Sequence, residues 1–139
     1  MAFDRWEHFH HESDIGIRAY GVSLEKALEQ AGHALTAVIT LEPVAPDVEV
    51  EISLDSPDQE FLLVDWLNAL IFEMATRSML FSRFEVQLDG TRLSAAVWGE
   101  PVNVKKHQPA VEVKGATLSE LCVRQMPDGS WQAQCIVDV

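Results

Sequence analysis

Residues 48–74, VEVEISLDSPDQEFLLVDWLNALIFEM, decide the fold, because the spacing of their apolar residues changes halfway along. In residues 48–55 apolar and mostly acidic residues alternate, which predicts a strand with one buried face. Ser56-Pro57-Asp58 follows and suits the start of a helix, since proline is tolerated in a first helical turn. We expect this helix to run to about Ser78.

This helix is apolar almost all round, so we expect it to be buried on more than one side. Asp65, Asn68 and Glu73 interrupt it, and no apolar run in the chain approaches the ~18 residues needed to cross a bilayer. Trp66 and Asn68 fit either a ligand pocket or ordinary packing in which a loop or a cap satisfies the amide.

Strand and helix signals continue on both sides of this stretch. Before it, residues 15–20 alternate as a strand, and a helix with Ser23 as its N-cap follows and ends near Thr40. After it, residues 84–97 predict a hairpin around Asp89-Gly90. A polar loop at 103–109 and further strands at 111–114, 118–125 and 131–137 complete the prediction.

The order of these elements, β-α-β-α and then mostly strands, predicts the fold class. Because successive strands can pair as hairpins, we expect an α/β (α+β) protein with a largely antiparallel sheet and two helices packed on one face. No linker or repeat divides the chain, so residues 1–139 are predicted to form a single domain.

The chain is strongly acidic, with 10 Lys and Arg against 22 Asp and Glu and a formal net charge of −12. Because this charge repels phosphates, we expect no direct binding to nucleic acid or to an anionic membrane. Basic protein partners and metal cations fit the charge, and so does simple solubility. With two cysteines and no signal-like segment after Met1, the expected location is the cytoplasm.

Cys122 and Cys135 lie on the two strands of the last predicted hairpin. If Asp128-Gly129 is a two-residue loop, these cysteines face each other directly. Two interpretations stay open here: a pair of small buried apolar residues, and a cross-strand disulfide.

Candidate metal ligands gather at the two ends of the chain. Residues 8–14, HFHHESD, contain three histidines and two carboxylates. At the other end Asp138 precedes Val139, whose free α-carboxylate would add a second hard oxygen ligand. If Asp14 came close, the three carboxylates would repel one another until a divalent cation neutralised them. We expect calcium first, with magnesium and manganese as alternatives, and zinc if a histidine joins.

His11 and Glu12 are the candidate neighbours of this metal site, because they lie three and two residues before Asp14. Lys105-Lys106-His107 is the one concentrated positive segment of the sequence, and we take it as a candidate contact for a partner. No motif for nucleophilic catalysis or nucleotide binding is present.

Together these motifs resemble those of the archease family. Residues 6–17, WEHFHHESDIGI, are similar to the opening of that family, whose core is His-Thr-Ala-Asp-Ile-Gly. Further similarities are found in the central apolar helix, in the His-to-Val-Lys block and in the last hairpin, at residues 62–70, 106–117, 127–131 and 138–139. The resemblance covers nearly the whole chain in the right order.

The resemblance implies a function and a site. Carried over to this sequence, the metal site of the family falls on Asp14, Asp138 and the terminal carboxylate of Val139. Members of the family assist the RtcB-type RNA ligase, which joins RNA ends with GTP in tRNA splicing and repair, by promoting its guanylylation and multiple turnover. On this basis we expect an accessory protein and not an enzyme.

The sequence departs from the family pattern in two places. Glu12-Ser13 stand for Thr-Ala and add a carboxylate near the metal, which would alter its affinity. Leu118-Ser119 occupy positions where many family members have Tyr-His. This change removes a side chain that could hydrogen-bond to the metal ligands, and we expect it to affect the choice of partner more than metal binding.

Two other functions stay open. Some members of the family are linked to a tRNA methyltransferase, which this protein would modulate as a chaperone through surface contacts alone. Alternatively, the same carboxylates would activate water in a metal-dependent hydrolase.

Overall fold

The computed structural model describes residues 3–139 and places them in eight strands and three helices. In chain order these are β1 (Arg5–His11), β2 (Asp14–Gly21), α1 (Leu24–Ile39), β3 (Val48–Asp55), α2 (Gln59–Arg77), β4 (Met79–Asp89), β5 (Arg92–Pro101), α3 (Val104–His107), β6 (Gly115–Ala116), β7 (Cys122–Gln125) and β8 (Trp131–Asp138). Within this part of the chain, no helix combines the length and the apolar character of a membrane span. The predicted α/β (α+β) fold class is confirmed.

The strands form two sheets, and all pairings described are antiparallel. The larger sheet has the order β1-β2-β8-β6, with β7 also paired to β8. The smaller sheet has the order β3-β5-β4, in which β4 and β5 form the hairpin predicted at Asp89-Gly90. The last strand of the chain therefore lies in the middle of the larger sheet, next to β2.

Helices α1 and α2 pack against strands of both sheets, so the core lies between them. Ser23 caps α1 as predicted, and Asp58 caps α2 by accepting a hydrogen bond from the main chain of Phe61. The indole nitrogen of Trp66 donates to the carbonyl of Leu28 at 2.8 Å, which joins the two helices. Trp66 is fully buried by this packing, which agrees with the packing interpretation of this residue.

Four segments differ from their predicted structure. Residues 5–11, considered only as a source of ligands, form the edge strand β1. Residues 111–114 are irregular, and the strand that follows is reduced to Gly115–Ala116. The strand expected from 118 starts only at Cys122, because Glu120 adopts a left-handed conformation with φ 56°. The polar loop at 103–109 contains the short helix α3.

The last hairpin has a three-residue loop, so the predicted pairing of the cysteines is wrong. The main-chain N–H of Met126 donates to the carbonyl of Ser130, and the carbonyl of Met126 accepts from the N–H of Gly129, which has a positive φ of 90°. The extra residue shifts the register by one, and Cys122 pairs with Gln134. Neighbouring residues of a strand point to opposite faces, so Cys135 does not face Cys122. Both thiols are free, Cys135 buried in the core and Cys122 half-buried.

Candidate metal centre

The turn between β1 and β2 brings His11 and Asp14 side by side. These residues are register partners, with the two-residue turn Glu12-Ser13 between them. Glu12 is exposed and left-handed with φ 57°, as tight two-residue hairpins require of a central residue. Directly opposed residues of antiparallel strands project to the same face. The side chains of His11 and Asp14 therefore start from neighbouring positions on one face of the sheet.

Strand β8 brings Asp138 to the other side of Asp14. Ile15 pairs with Val137, so Asp14 and Asp138 occupy the next opposing position on these strands. The main-chain nitrogen of Val139 lies 3.5 Å from Oδ1 of Asp14. The three residues expected to bind metal thus lie together at one end of the larger sheet, where each is half-buried.

Strand β6 pairs with β8 on the side opposite β2 and so fixes the main chain of Asp138. Gly115 pairs with Asp138, and the main-chain N–H of Lys114 donates to the carbonyl of Asp138 at 2.8 Å. Oδ1 of Asn68 accepts from the N–H of Ala116 at 2.9 Å, which ties β6 to α2. Asn68 on the apolar helix therefore has a partner for its amide oxygen, but this partner lies on strand β6 and not in a loop or a cap as predicted. No sequence signal indicated the contact of Lys114 with Asp138.

The donor atoms at this end of the sheet suit a divalent cation. Asp14 and Asp138 offer hard oxygen ligands, and like charges directly opposed on neighbouring strands destabilise a sheet. Nδ1 of His11 is buried and has no hydrogen-bond partner among the described residues. Such an unsatisfied polar atom costs about 1–3 kcal/mol.

The side chains alone do not form a preassembled metal cluster. Across residues 3–139, no three side chains of His, Cys, Asp or Glu converge closely enough to hold a metal ion together. A site at Asp14 and Asp138 would therefore need a donor beyond the side chains counted, such as the α-carboxylate of Val139.

The other two histidines of the N-terminal stretch have different surroundings. Nε2 of His8 lies within hydrogen-bond distance, 2.8 Å, of the carbonyl of Ala34 on α1. His10 is exposed, and its side chain starts on the face opposite to that of His11 because the two are adjacent in β1.

The candidate partner contact at Lys105-Lys106-His107 is in large part structural. His107 is fully buried and belongs to α3. Its Nδ1 accepts from the N–H of Asn103 at 2.9 Å, so Nε2 carries the proton and donates to Glu100 at 3.0 Å. Lys105 is exposed. Of the three basic residues, Lys105 is the one whose side chain is not engaged with Glu100.

Glu100 is the acceptor that organises this loop. The N–H of Ala45 donates to its Oε2 at 2.6 Å, and Nζ of Lys106 lies 2.9 Å and 2.7 Å from its two oxygens. These hydrogen bonds, from Ala45 first and then from Lys106 and His107, lower the pKa of Glu100 to about 2. Glu100 therefore stays ionised and holds the loop at 103–109 against the segment before β3.

Comparison with known proteins identifies relatives over almost the entire length. Residues 6–139 match the Archease protein family (MTH1598/TM1083). The protein archease of Pyrococcus abyssi is 38% identical in an alignment of 140 positions that covers 97% of this chain and 99% of that relative. The protein archease of Sulfolobus acidocaldarius is 37% identical in an alignment of 138 positions, which again covers 97% of this chain and 99% of the relative.

A solved structure has the same fold. The solution structure of Methanobacterium thermoautotrophicum protein 1598 is 34% identical in sequence to this chain and superposes with a TM-score of 0.77. The match covers 96% of this chain and 98% of that one. From the match of residues 6–139, the identity to its relatives and the shared fold, this chain belongs to the archease family.

Proposed function

We propose that this protein is an accessory factor that activates a GTP-dependent RNA ligase of the tRNA-splicing (RtcB) type. In this proposal it promotes guanylylation and multiple turnover of the ligase through a divalent cation held by Asp14, Asp138 and the α-carboxylate of Val139. One observation carries the proposal: residues from opposite ends of the chain, Asp14 and Asp138–Val139, meet at one end of the larger sheet. Membership of the archease family supports it.

A cation at this site would supply positive charge that can interact with phosphate groups. The carboxylates alone suit calcium, with magnesium, manganese and zinc as alternatives. The protein contributes a rigid support for those carboxylates. The main-chain carbonyl of Asp138 accepts a hydrogen bond from the N–H of Lys114, and β2 and β8 are paired along their length.

The charge of the chain fits a partner protein better than a nucleic acid. With a net charge of −12, the surface would be attracted to the basic active site of an RNA-processing enzyme and repelled by RNA itself. We place this activity in the cytoplasm, since the free thiols of Cys122 and Cys135 fit a reducing compartment.

Multiple-turnover RNA ligation by the ligase of the same source, with and without this protein, tests the proposal. We expect stimulation by the unmodified protein and by Asp89→Asn, a matched control at an exposed turn of the smaller sheet. We expect none from Asp14→Asn or Asp138→Asn, with circular dichroism showing that both are folded. Full stimulation by both variants would contradict the proposal.

The same preparations separate the two other functions. A metal-dependent hydrolase would turn over a phosphoester substrate without the ligase and would lose that activity with Asp14→Asn. A chaperone-like modulator of a tRNA methyltransferase would bind its partner equally well in the presence of a chelator. We expect neither result.

A further inference from the structure

We infer that a small cavity between β1, the second half of α1 and the start of β4 anchors one tyrosine side chain from a basic segment of the proposed ligase. The cavity has a volume of about 200 Å³, and its lining includes Trp6, His33, Thr36, Leu41, Phe81 and Ser82. This contact uses none of the candidate metal ligands. The inference rests on the proposed function only for the identity of the partner.

A β-bulge places Ser82 at this cavity. The pairing of β4 with β5 shifts register between Phe81 and Arg83, so Ser82 is an extra residue without a partner on β5. Oγ1 of Thr36 donates to the carbonyl of Phe81 at 2.7 Å, which holds α1 against the bulged strand. Bulges redirect side chains and are frequent beside functional sites. The bulge therefore brings a serine hydroxyl to a cavity whose other walls come from β1 and α1.

The hydroxyl of Ser82 has no hydrogen-bond partner. Its Oγ is buried and forms no hydrogen bond with any of the described residues. The neighbouring hydroxyl of Thr36 differs, because it is bonded to a main-chain carbonyl. A hydroxyl can both donate and accept, and leaving it unsatisfied in a buried position is unfavourable. Ser82 therefore calls for an occupant that brings its own hydrogen-bonding group.

The size and the walls of the cavity fit a tyrosine. Sites for small-molecule ligands have volumes of about 300–1,000 Å³, so this cavity suits a single side chain. Trp6, His33 and Phe81 provide ring walls, and burial lowers the pKa of His33, so that ring is uncharged near neutral pH. A tyrosine offers its ring to these walls and its hydroxyl to Ser82. Aromatic side chains seated in such pockets contribute much of the affinity at protein interfaces.

The surroundings of the cavity favour basic residues on both sides of the tyrosine. Leu41 and Glu42 follow α1 and line the cavity, Leu41 being 86% exposed and Glu42 also exposed. The last turn of α1 contains no basic residue, so the partial negative charge at the end of this helix is not offset within it. A lysine beside the tyrosine can place its aliphatic stem on Leu41 and its ammonium group near Glu42.

NMR titrations of the unmodified protein with short blocked peptides test the inference. The probes are Lys-Tyr-Lys, Lys-Phe-Lys, Lys-Arg-Lys and Glu-Tyr-Glu. We expect Lys-Tyr-Lys to shift the amide resonances of Trp6, His33 and Ser82. Lys-Phe-Lys should bind about 3- to 10-fold more weakly because it lacks the hydroxyl, and Glu-Tyr-Glu should bind more weakly still at low salt. Equal affinity of the tyrosine and phenylalanine peptides, or tighter binding of Lys-Arg-Lys, overturns the inference.

Two variants separate binding from folding. Ser82→Ala should remove the preference for tyrosine over phenylalanine without lowering the melting temperature, since the lost Oγ has no partner in the protein. Leu41→Ser should weaken binding of Lys-Tyr-Lys about 5-fold or more. Val22→Ser is the matched control, because Val22 is 58% exposed and lies outside the cavity. A Ser82→Ala variant that keeps the full preference for tyrosine contradicts the inference.

The ligation assay tests the partner and distinguishes this inference from the proposed function. Leu41→Ser should raise the protein concentration that gives half-maximal stimulation about 5-fold or more and leave the maximum unchanged. Asp14→Asn should instead abolish stimulation. An unchanged half-maximal concentration with Leu41→Ser shows that the cavity does not anchor the ligase and overturns the inference. If the unmodified protein gives no stimulation, the proposed function fails, and the peptide titrations alone decide whether the cavity binds tyrosine.

Discussion

The main-chain nitrogen of Val139 lies 3.5 Å from Oδ1 of Asp14, although 125 positions separate these residues in the sequence. The contact exists because β8 pairs with β2, and β6 pairs with the other side of β8. As a result the last residues are held by strands on both sides, and the carboxylates of Asp14 and Asp138 are forced into neighbouring positions. The stability of this end of the fold should therefore depend on whether a cation is bound.

Replacing Asp14 by Asn should raise the stability of the metal-free protein. Opposed like charges destabilise a strand pair, so relief of this repulsion should add about 0.2–1 kcal/mol to the free energy of unfolding. The same variant should lose the stabilisation that a cation gives the unmodified protein, about 2.7 kcal/mol at 100 times the dissociation constant. Urea denaturation with and without zinc measures both effects. A variant that is still stabilised by zinc would show that Asp14 is not a ligand.

Extending the chain beyond Val139 should weaken metal binding without unfolding the protein. A short Gly-Ser tail converts the α-carboxylate of Val139 into a neutral amide, while the pairing of β8 ends at Asp138 and is untouched. Calorimetric titration of zinc and calcium against the extended protein gives the loss of affinity. The matched control carries the same tail before Met1. Equal affinity of both extended proteins would exclude the α-carboxylate as a ligand.

Most of the fold was predictable from sequence, because period-two and helical apolar patterns mark β2, β3, α1 and α2 without knowledge of their neighbours. The two-sheet arrangement was not, because it depends on which strands pair, and β2 pairs with β8 from the far end of the sequence. The cysteine register was missed because a third loop residue shifts every pair in the hairpin. Asp14 and Asp138 could be grouped by chemistry alone, but only the strand order shows that they are neighbours.

His11 also shows that sequence spacing does not reveal which residues become neighbours across strands. Sequence spacing treats His8, His10 and His11 alike, as three imidazoles near a carboxylate. Only the register of β1 with β2 places His11 beside Asp14 and assigns His10 to the opposite face. Likewise, the burial of His107 could not be read from a basic stretch, because its partner Glu100 lies on another element.

Stability should fall as the pH drops below the ordinary pKa of Glu100. Its pKa in the folded protein is lowered from 4.5 to about 2, so between these values the unfolded chain binds more protons than the folded one. The stabilisation is therefore fully present above pH 4.5 and is lost progressively toward pH 2. Denaturation curves across this range give the slope of the unfolding free energy against pH, and Glu100→Gln should make this slope shallower. An identical slope in the variant would contradict the assignment.

Replacing His107 should destabilise the fold, whereas replacing Lys105 should not. His107→Ala removes a fully buried ring together with its bonds to Asn103 and Glu100, and should cost about 2–4 kcal/mol of unfolding free energy. Lys105→Ala alters an exposed side chain and should stay within about 0.5 kcal/mol. If Lys105 contacts the ligase, this variant should still reduce stimulation in the ligation assay at unchanged stability. Unchanged stimulation would remove it as a partner contact.

The two cysteines should differ in reactivity and should not form a disulfide with each other. Burial raises the pKa of Cys135 to about 12, so almost none of it is thiolate near neutral pH, and its sulfur is enclosed by the core. Cys122 is half-buried and opposite Gln134, so it should be the single thiol that reacts with a thiol reagent in the native protein. Both should react after denaturation, and Cys122→Ser should abolish native labelling. Mass spectrometry after mild oxidation should detect no loss of two hydrogens, and an internal disulfide there would show that the hairpin adopts the two-residue loop after all.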